Sequence, residues 1–134
     1  MSTTAPGQMN KPNLTGFPRL IAAAHYSLHG LTAAWKHEEA FRLETVLALL
    51  LFPCSFWLAQ SLSHQLILIA SLILVLIIEL INSAVEAVVD RIGTDFHPLS
   101  GQAKDIASAA VFLSMMQVLL LWGLSLWDLL TQSL

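Results

Sequence analysis

An apolar run from Leu66 to Ile78, broken only by Ser71, leads directly into Glu79-Leu80-Ile81-Asn82-Ser83-Ala84-Val85-Glu86-Ala87-Val88-Val89-Asp90. At about 3.6 residues per turn, Glu79, Asn82, Ser83, Glu86 and Asp90 fall within about 100° of one another, so the segment is a helix with one acidic face. Carboxylates on a helix of membrane length are costly, which makes such a row a candidate functional site by default.

The rest of the chain agrees with a membrane setting. Of 134 residues, 56% are hydrophobic and 11% charged, the balance of one small polytopic membrane domain rather than a soluble one. The net charge of -3 and the lack of a dense Lys/Arg stripe exclude a nucleic-acid partner. The single cysteine, Cys54, cannot form an internal disulfide and reads as a small apolar residue of a span. Residues 1–15 are polar, with no h-region of a signal peptide, and are expected to form a flexible tail.

From Phe17 to Trp35 the residues Phe17, Leu20, Ile21, Ala24, Leu28, Leu31 and Trp35 share one side of a helix, while Arg19, Tyr26 and His29 lie elsewhere. This predicts an amphipathic surface helix over about 17–36, too polar to cross a bilayer. The pattern loses phase near Lys36 and His37, where the chain must bend. Spans are predicted over about 41–59, 65–90 and 102–130, the first interrupted by Pro53. Gly93 is placed to end the second span and Pro98 to begin the third. Trp35, Trp57, Trp122 and Trp127 read as interface anchors. The expected fold is therefore all-α and membrane-integral, with three spans and an N-terminal surface helix.

All six basic residues lie on one side of this arrangement: Lys11, Arg19, Lys36, Arg42, Arg91 and Lys104. The positive-inside rule then puts the N-terminus and the Arg91–Lys104 connection in the cytoplasm. Glu38, Glu44, Glu86, Asp90, Asp95 and Asp105 fall on that same side.

Depth separates what these carboxylates can do. Glu38, Glu86, Asp90 and Asp95, beside Lys104, can hold one or two magnesium ions together with substrate phosphates, because magnesium favours a few carboxylates plus phosphate and water oxygens. Glu79 lies about 16 Å deeper than Asp90 and is placed to take a proton from a hydroxyl held in the lipid. Ser83 and the alanines at 103, 107 and 110 read as helix-packing residues. His97 is a ligand candidate in its loop, whereas His25, His29, His37 and His64 read as solvated or interfacial. No Gly-rich or G-x-x-x-x-G-K-[ST] phosphate loop occurs.

The run from Glu79 to Gly93, then His97 and Ala103-Lys104-Asp105-Ile106-Ala107-Ser108-Ala109-Ala110-Val111, resembles the prokaryotic diacylglycerol kinases. Gly16-Phe17-Pro18-Arg19-Leu20-Ile21 and Ala33-Ala34-Trp35-Lys36-His37-Glu38-Glu39-Ala40-Phe41-Arg42-Leu43-Glu44 are similar to that family as well. The resemblance implies one membrane kinase domain over 16–134, assembled as a homotrimer with active sites at subunit boundaries. It implies transfer of the ATP γ-phosphate to the primary hydroxyl of diacylglycerol at the cytoplasmic face of a bacterial inner membrane. Carried over by position, Glu79 is the general base, and Glu38 and Glu86 hold Mg2+ and contact ATP. Arg19, Tyr26, Asp95, His97, Lys104 and Asp105 contact the nucleotide, with Asn82 and Asp90 supporting the site. Arg19, Ala24, His25, Tyr26, Ser27, Leu28, Glu79 and Ser108 lie near the lipid. Leu43 and His25 depart from the family's usual residues. Three rivals remain: an undecaprenol kinase of the same fold; a small proton- or cation-conducting oligomer, for which Leu66–Ile78 offers only Ser71 as a polar step; and a non-enzymatic assembly scaffold, which leaves the magnesium-like grouping without purpose.

Overall fold

A computed structural model describes residues 15–93, 95 and 97–132, so the tail expected over 1–15 lies almost wholly outside the described residues. The described chain is helical: α1 (Phe17–His37), α2 (Glu39–Leu58), α3 (Leu62–Ile92) and α4 (Pro98–Gln132). It divides into two compact units between Thr32 and Ala33, within α1.

The first unit is the amphipathic part of α1. Gly16 precedes it at φ 67, a conformation that favours glycine, and its carbonyl accepts from Arg19 N at 3.1 Å. Pro18 costs nothing here, because first-turn amides have no intrahelical acceptor. Ser27 and Thr32 satisfy their hydroxyls on the carbonyls of Ala23 and Leu28.

The second unit opens with the last turn of α1 and then bends. Glu38 is extended at φ -104 and ψ 111, and α2 starts at Glu39. Arg42 fixes this corner: its guanidinium donates to the carbonyls of Trp35 (3.0 Å) and Lys36 (3.3 Å), which the end of α1 leaves without amide partners. The bend expected from the loss of phase thus falls on Glu38 itself.

α2, α3 and α4 are each long and apolar enough to cross a membrane, which makes the chain a multi-pass membrane protein. At 1.5 Å per residue the 20 residues of α2 span about 30 Å, a bilayer's hydrocarbon thickness. The 31 residues of α3 reach about 46 Å, so one end must project beyond the hydrocarbon. Large apolar side chains such as Leu49, Phe56, Ile73, Phe112 and Leu119 point outward, as expected where the solvent is lipid.

The helices meet along seams of heptad spacing. On α2, Phe41, Glu44, Ala48, Leu51, Ser55 and Leu58 recur every three or four residues; on α3, Leu68, Leu72, Val75, Glu79, Asn82 and Glu86 do the same. Leu68, Leu72 and Trp122 form the apolar centre, packed by Leu51, Cys54 and Val118 among others. Trp122 corrects its expected role as an interface anchor. It is buried, and its indole donates to Ser71 Oγ at 3.2 Å while that hydroxyl donates to Leu68 O. A buried tryptophan usually finds such an acceptor for its N–H.

The end of the bundle away from the acidic row is tied by polar contacts. Ser61 caps α3 by accepting from His64 N, His64 Nε2 meets Ser125 Oγ at 2.8 Å, and Gln60 donates to Asp128.

Candidate functional site

The α3 seam that is apolar at Leu68 and Leu72 turns acidic at Glu79, whose side chain is carried inward by the same heptad spacing. Glu79 is 4% exposed. Across from it, α2 contributes Glu44, 5% exposed, which lies within electrostatic reach of Glu79. Glu38 at the corner and Glu86 two turns along α3 also act on the Glu79 carboxylate. Three carboxylates, from the corner, α2 and α3, therefore act on buried Glu79.

The outer tier is built differently. Asn82 and Glu86 lie one turn apart, and the Asn82 amide donates to Glu86 Oε1 at 3.1 Å, which fixes that carboxylate's direction. Lys104 from the first turns of α4 reaches Asp90 Oδ1 at 2.5 Å and stands within electrostatic reach of Glu86. Ser83 donates to the Glu79 carbonyl and so braces the helix rather than the carboxylate. Two polar atoms in this region are buried with no partner among the described residues: Glu44 Oε2 and Asn82 Oδ1. Buried polar atoms without a partner are rare and call for an explanation.

A cavity of about 490 Å³ opens between α2, α3 and α4 beside Glu44. Leu47, Leu51, Leu72, Val75 and Val118 line it, and Glu44 is its only charged wall. The size falls in the range of small-molecule pockets, about 300–1,000 Å³, and the lining suits hydrocarbon.

The remaining candidate residues are placed less closely. Asp95 is exposed in the connection between α3 and α4, and Asp105 and Ser108 are exposed on α4. His97 acts as a cap: Nδ1 accepts from Leu99 N at 3.2 Å, and its carbonyl accepts from Gly101 N. Arg19, Ala24, His25, Tyr26, Ser27 and Leu28 are exposed on the part of α1 that forms the other unit. Sequence reasoning placed Glu44 only on the cytoplasmic side and gave it no site role. Its position on the seam with Phe41, Ala48, Leu51 and Ser55 is the signal that identifies it.

Glu38 and Glu86 are of the kind that could hold a magnesium ion: both are half-buried carboxylates within electrostatic reach of Glu79, and the Asn82 contact leaves Glu86 with further acceptor capacity. Among the described residues no three His, Cys, Asp or Glu side chains form a cage. Two carboxylates completed by phosphate and water are the usual magnesium arrangement.

The family profile described as prokaryotic diacylglycerol kinase matches residues 25–126. The chain is 50% identical over 116 residues to a diacylglycerol kinase of Escherichia coli, covering 87% of this chain and 95% of that one. It is 50% identical over 109 residues to the diacylglycerol kinase of Haemophilus influenzae, covering 81% and 92% respectively. The diacylglycerol kinase of Pseudomonas aeruginosa is 43% identical over 109 residues, covering 81% and 89%. The matched range contains Glu38, Glu44, Glu79, Asn82, Glu86 and Lys104. The chain belongs to the prokaryotic diacylglycerol kinase family.

Proposed function

We propose that this protein transfers the γ-phosphate of ATP to the primary hydroxyl of diacylglycerol, giving phosphatidic acid and ADP. The observation that carries the reading is the division of the acidic row into two tiers: a buried Glu79 that continues the apolar seam of Leu72 and Val75, with Glu44 in electrostatic reach, and a more exposed outer group of Asn82, Glu86, Asp90 and Lys104. A lipid alcohol and a nucleotide need these two environments side by side.

Glu79 takes the hydroxyl proton as the acceptor oxygen attacks the γ-phosphorus and the bond to the β-phosphate oxygen breaks. Its burial excludes water, which would otherwise compete as the acceptor. The cavity beside Glu44 holds acyl chain, so the hydroxyl meets Glu79 from the lipid side. Lys104, directed by Asp90, neutralises phosphate charge. Mg2+ held by Glu38 and Glu86 would add charge neutralisation on the transferring phosphate. Asp95, His97 and Asp105 complete the nucleotide contacts, and Ser108 lies near the lipid.

The exposure of Asp90, Asp95 and Asp105 leaves the outer tier open, which supports a homotrimer in which neighbouring chains close each site. Basic residues on one side support a cytoplasmic N-terminus and active site in a bacterial inner membrane. A single family match over residues 25–126, crossing the division at Thr32, supports residues 16–134 acting as one domain. Ion conduction is disfavoured because Ser71, the only polar residue between Leu66 and Ile78, is sealed against Trp122.

The test is phosphorylation by the purified protein, with ATP and Mg2+, of diacylglycerol and of undecaprenol in separate mixed micelles. Phosphatidic acid as the preferred product supports the reading. Preference for undecaprenol would move the acceptor to a polyprenol, and no product from either would remove the kinase assignment.

A further inference from the structure

His25 and His29 are four residues apart on α1, both exposed, with ring centroids 4.3 Å apart and planes tilted by 41°. A pair at this spacing projects from one face of a helix, so the backbone holds both imidazoles together before any ligand arrives. They lie on the flank of the apolar stripe, about 90° and 130° from its centre, where water has access.

The ring separation matches chelation. With a ring nitrogen ~1.1 Å from its centroid and a metal–nitrogen bond of ~2.0–2.1 Å, each centroid stands ~3.2 Å from a shared ion. A right angle at the ion then separates the centroids by ~4.5 Å and a tetrahedral angle by ~5.2 Å. At 4.3 Å the two rings are close enough for both to bind one ion, and among divalent first-row metals Cu2+, then Ni2+, binds such nitrogen ligands most tightly. The neighbours three and four residues away are Ile21, Ala22, Tyr26, Leu28, Thr32 and Ala33, none of which adds positive charge against a cation. Their lack of carboxylates separates this pair from the oxygen-rich position at Glu38 and Glu86 by chemistry, since hard ions such as Mg2+ pass over two imidazoles.

We propose that His25 and His29 form a two-imidazole chelate for a divalent transition-metal ion, Cu2+ ahead of Ni2+, with water in the other positions. The ion clamps one turn of α1. The inference does not depend on the kinase reading and concerns a different ion.

The full chain, carrying no polyhistidine tag, is titrated with Cu2+ in detergent micelles and followed by calorimetry and electron paramagnetic resonance. One ion per chain is expected, with a spectrum showing two imidazole nitrogens. His29→Gln and His25→Gln should each weaken binding by roughly tenfold or more, because each removes the linked second ligand. His37→Gln, His64→Gln and His97→Gln should leave it unchanged. A spectrum with one nitrogen or none in the unsubstituted protein, or binding that survives His29→Gln undiminished, would overturn the proposal.

Discussion

Replacing Asn82 by Ala removes the amide that donates to Glu86 Oε1 at 3.1 Å. A hydrogen bond to a charged group contributes about 1.5–3 kcal/mol. This one is longer than the ~2.7–2.9 Å usual for charge-assisted bonds, which places it at the lower end. At about 1.4 kcal/mol per factor of ten, the expected loss in kcat/KM is roughly 10- to 30-fold. Folding should change little, because Asn82 Oδ1 is buried without a partner and its removal offsets part of the lost contact. Asn82→Asp tests the same contact with the opposite sign. It sets a second carboxylate against Glu86 where a donor stood, and charges about 4 Å apart repel by about 4 kcal/mol at an effective dielectric of 20. Asp should therefore be less active than Ala, although it is closer to Asn in shape. The assay is phosphatidic acid formation across a Mg2+ titration, with secondary structure and oligomer size checked for each variant. Activity in Asn82→Asp equal to or above that of Asn82→Ala would refute a donor role directed at Glu86.

Lys104→Met removes the partner of Asp90, an exposed ion pair of the kind that contributes little to stability, so the unfolding midpoint should stay in place while the KM for ATP rises. An unchanged KM would remove Lys104 from the nucleotide site. Trp122→Phe keeps most of the buried ring but loses donation to Ser71, whose hydroxyl still bonds Leu68 O; the expected cost is about 0.6 kcal/mol, the average for hydrogen bonds between membrane helices. Trp122→Ala opens a cavity at the apolar centre and should cost about 3–5 kcal/mol in the same mixed-micelle unfolding experiment.

Much of this arrangement is legible in the chain because single helices carry it. The face holding Glu79, Asn82 and Glu86 is set by the period of α3, and one helix suffices to see it. Glu44 is different: its burial depends on how α2 meets α3 and α4, and no pattern within Phe41–Glu44 states which helix will cover it. Trp122 misleads for the same reason. Near the end of a span a tryptophan usually marks the interface, and only the position of Ser71 on another helix turns it inward. His97 shows a further limit, since a loop histidine that caps a helix and one that binds a ligand look alike in sequence.

Buried Glu79 is the point on which the kinase account turns, and Glu79→Gln tests it with nearly constant shape. Phosphatidic acid formation is measured in parallel with binding of ATP and of diacylglycerol. The account predicts that turnover is lost while both substrates still bind and the protein remains folded. Full turnover by Glu79→Gln would contradict it, and the proton would then have to leave by another group.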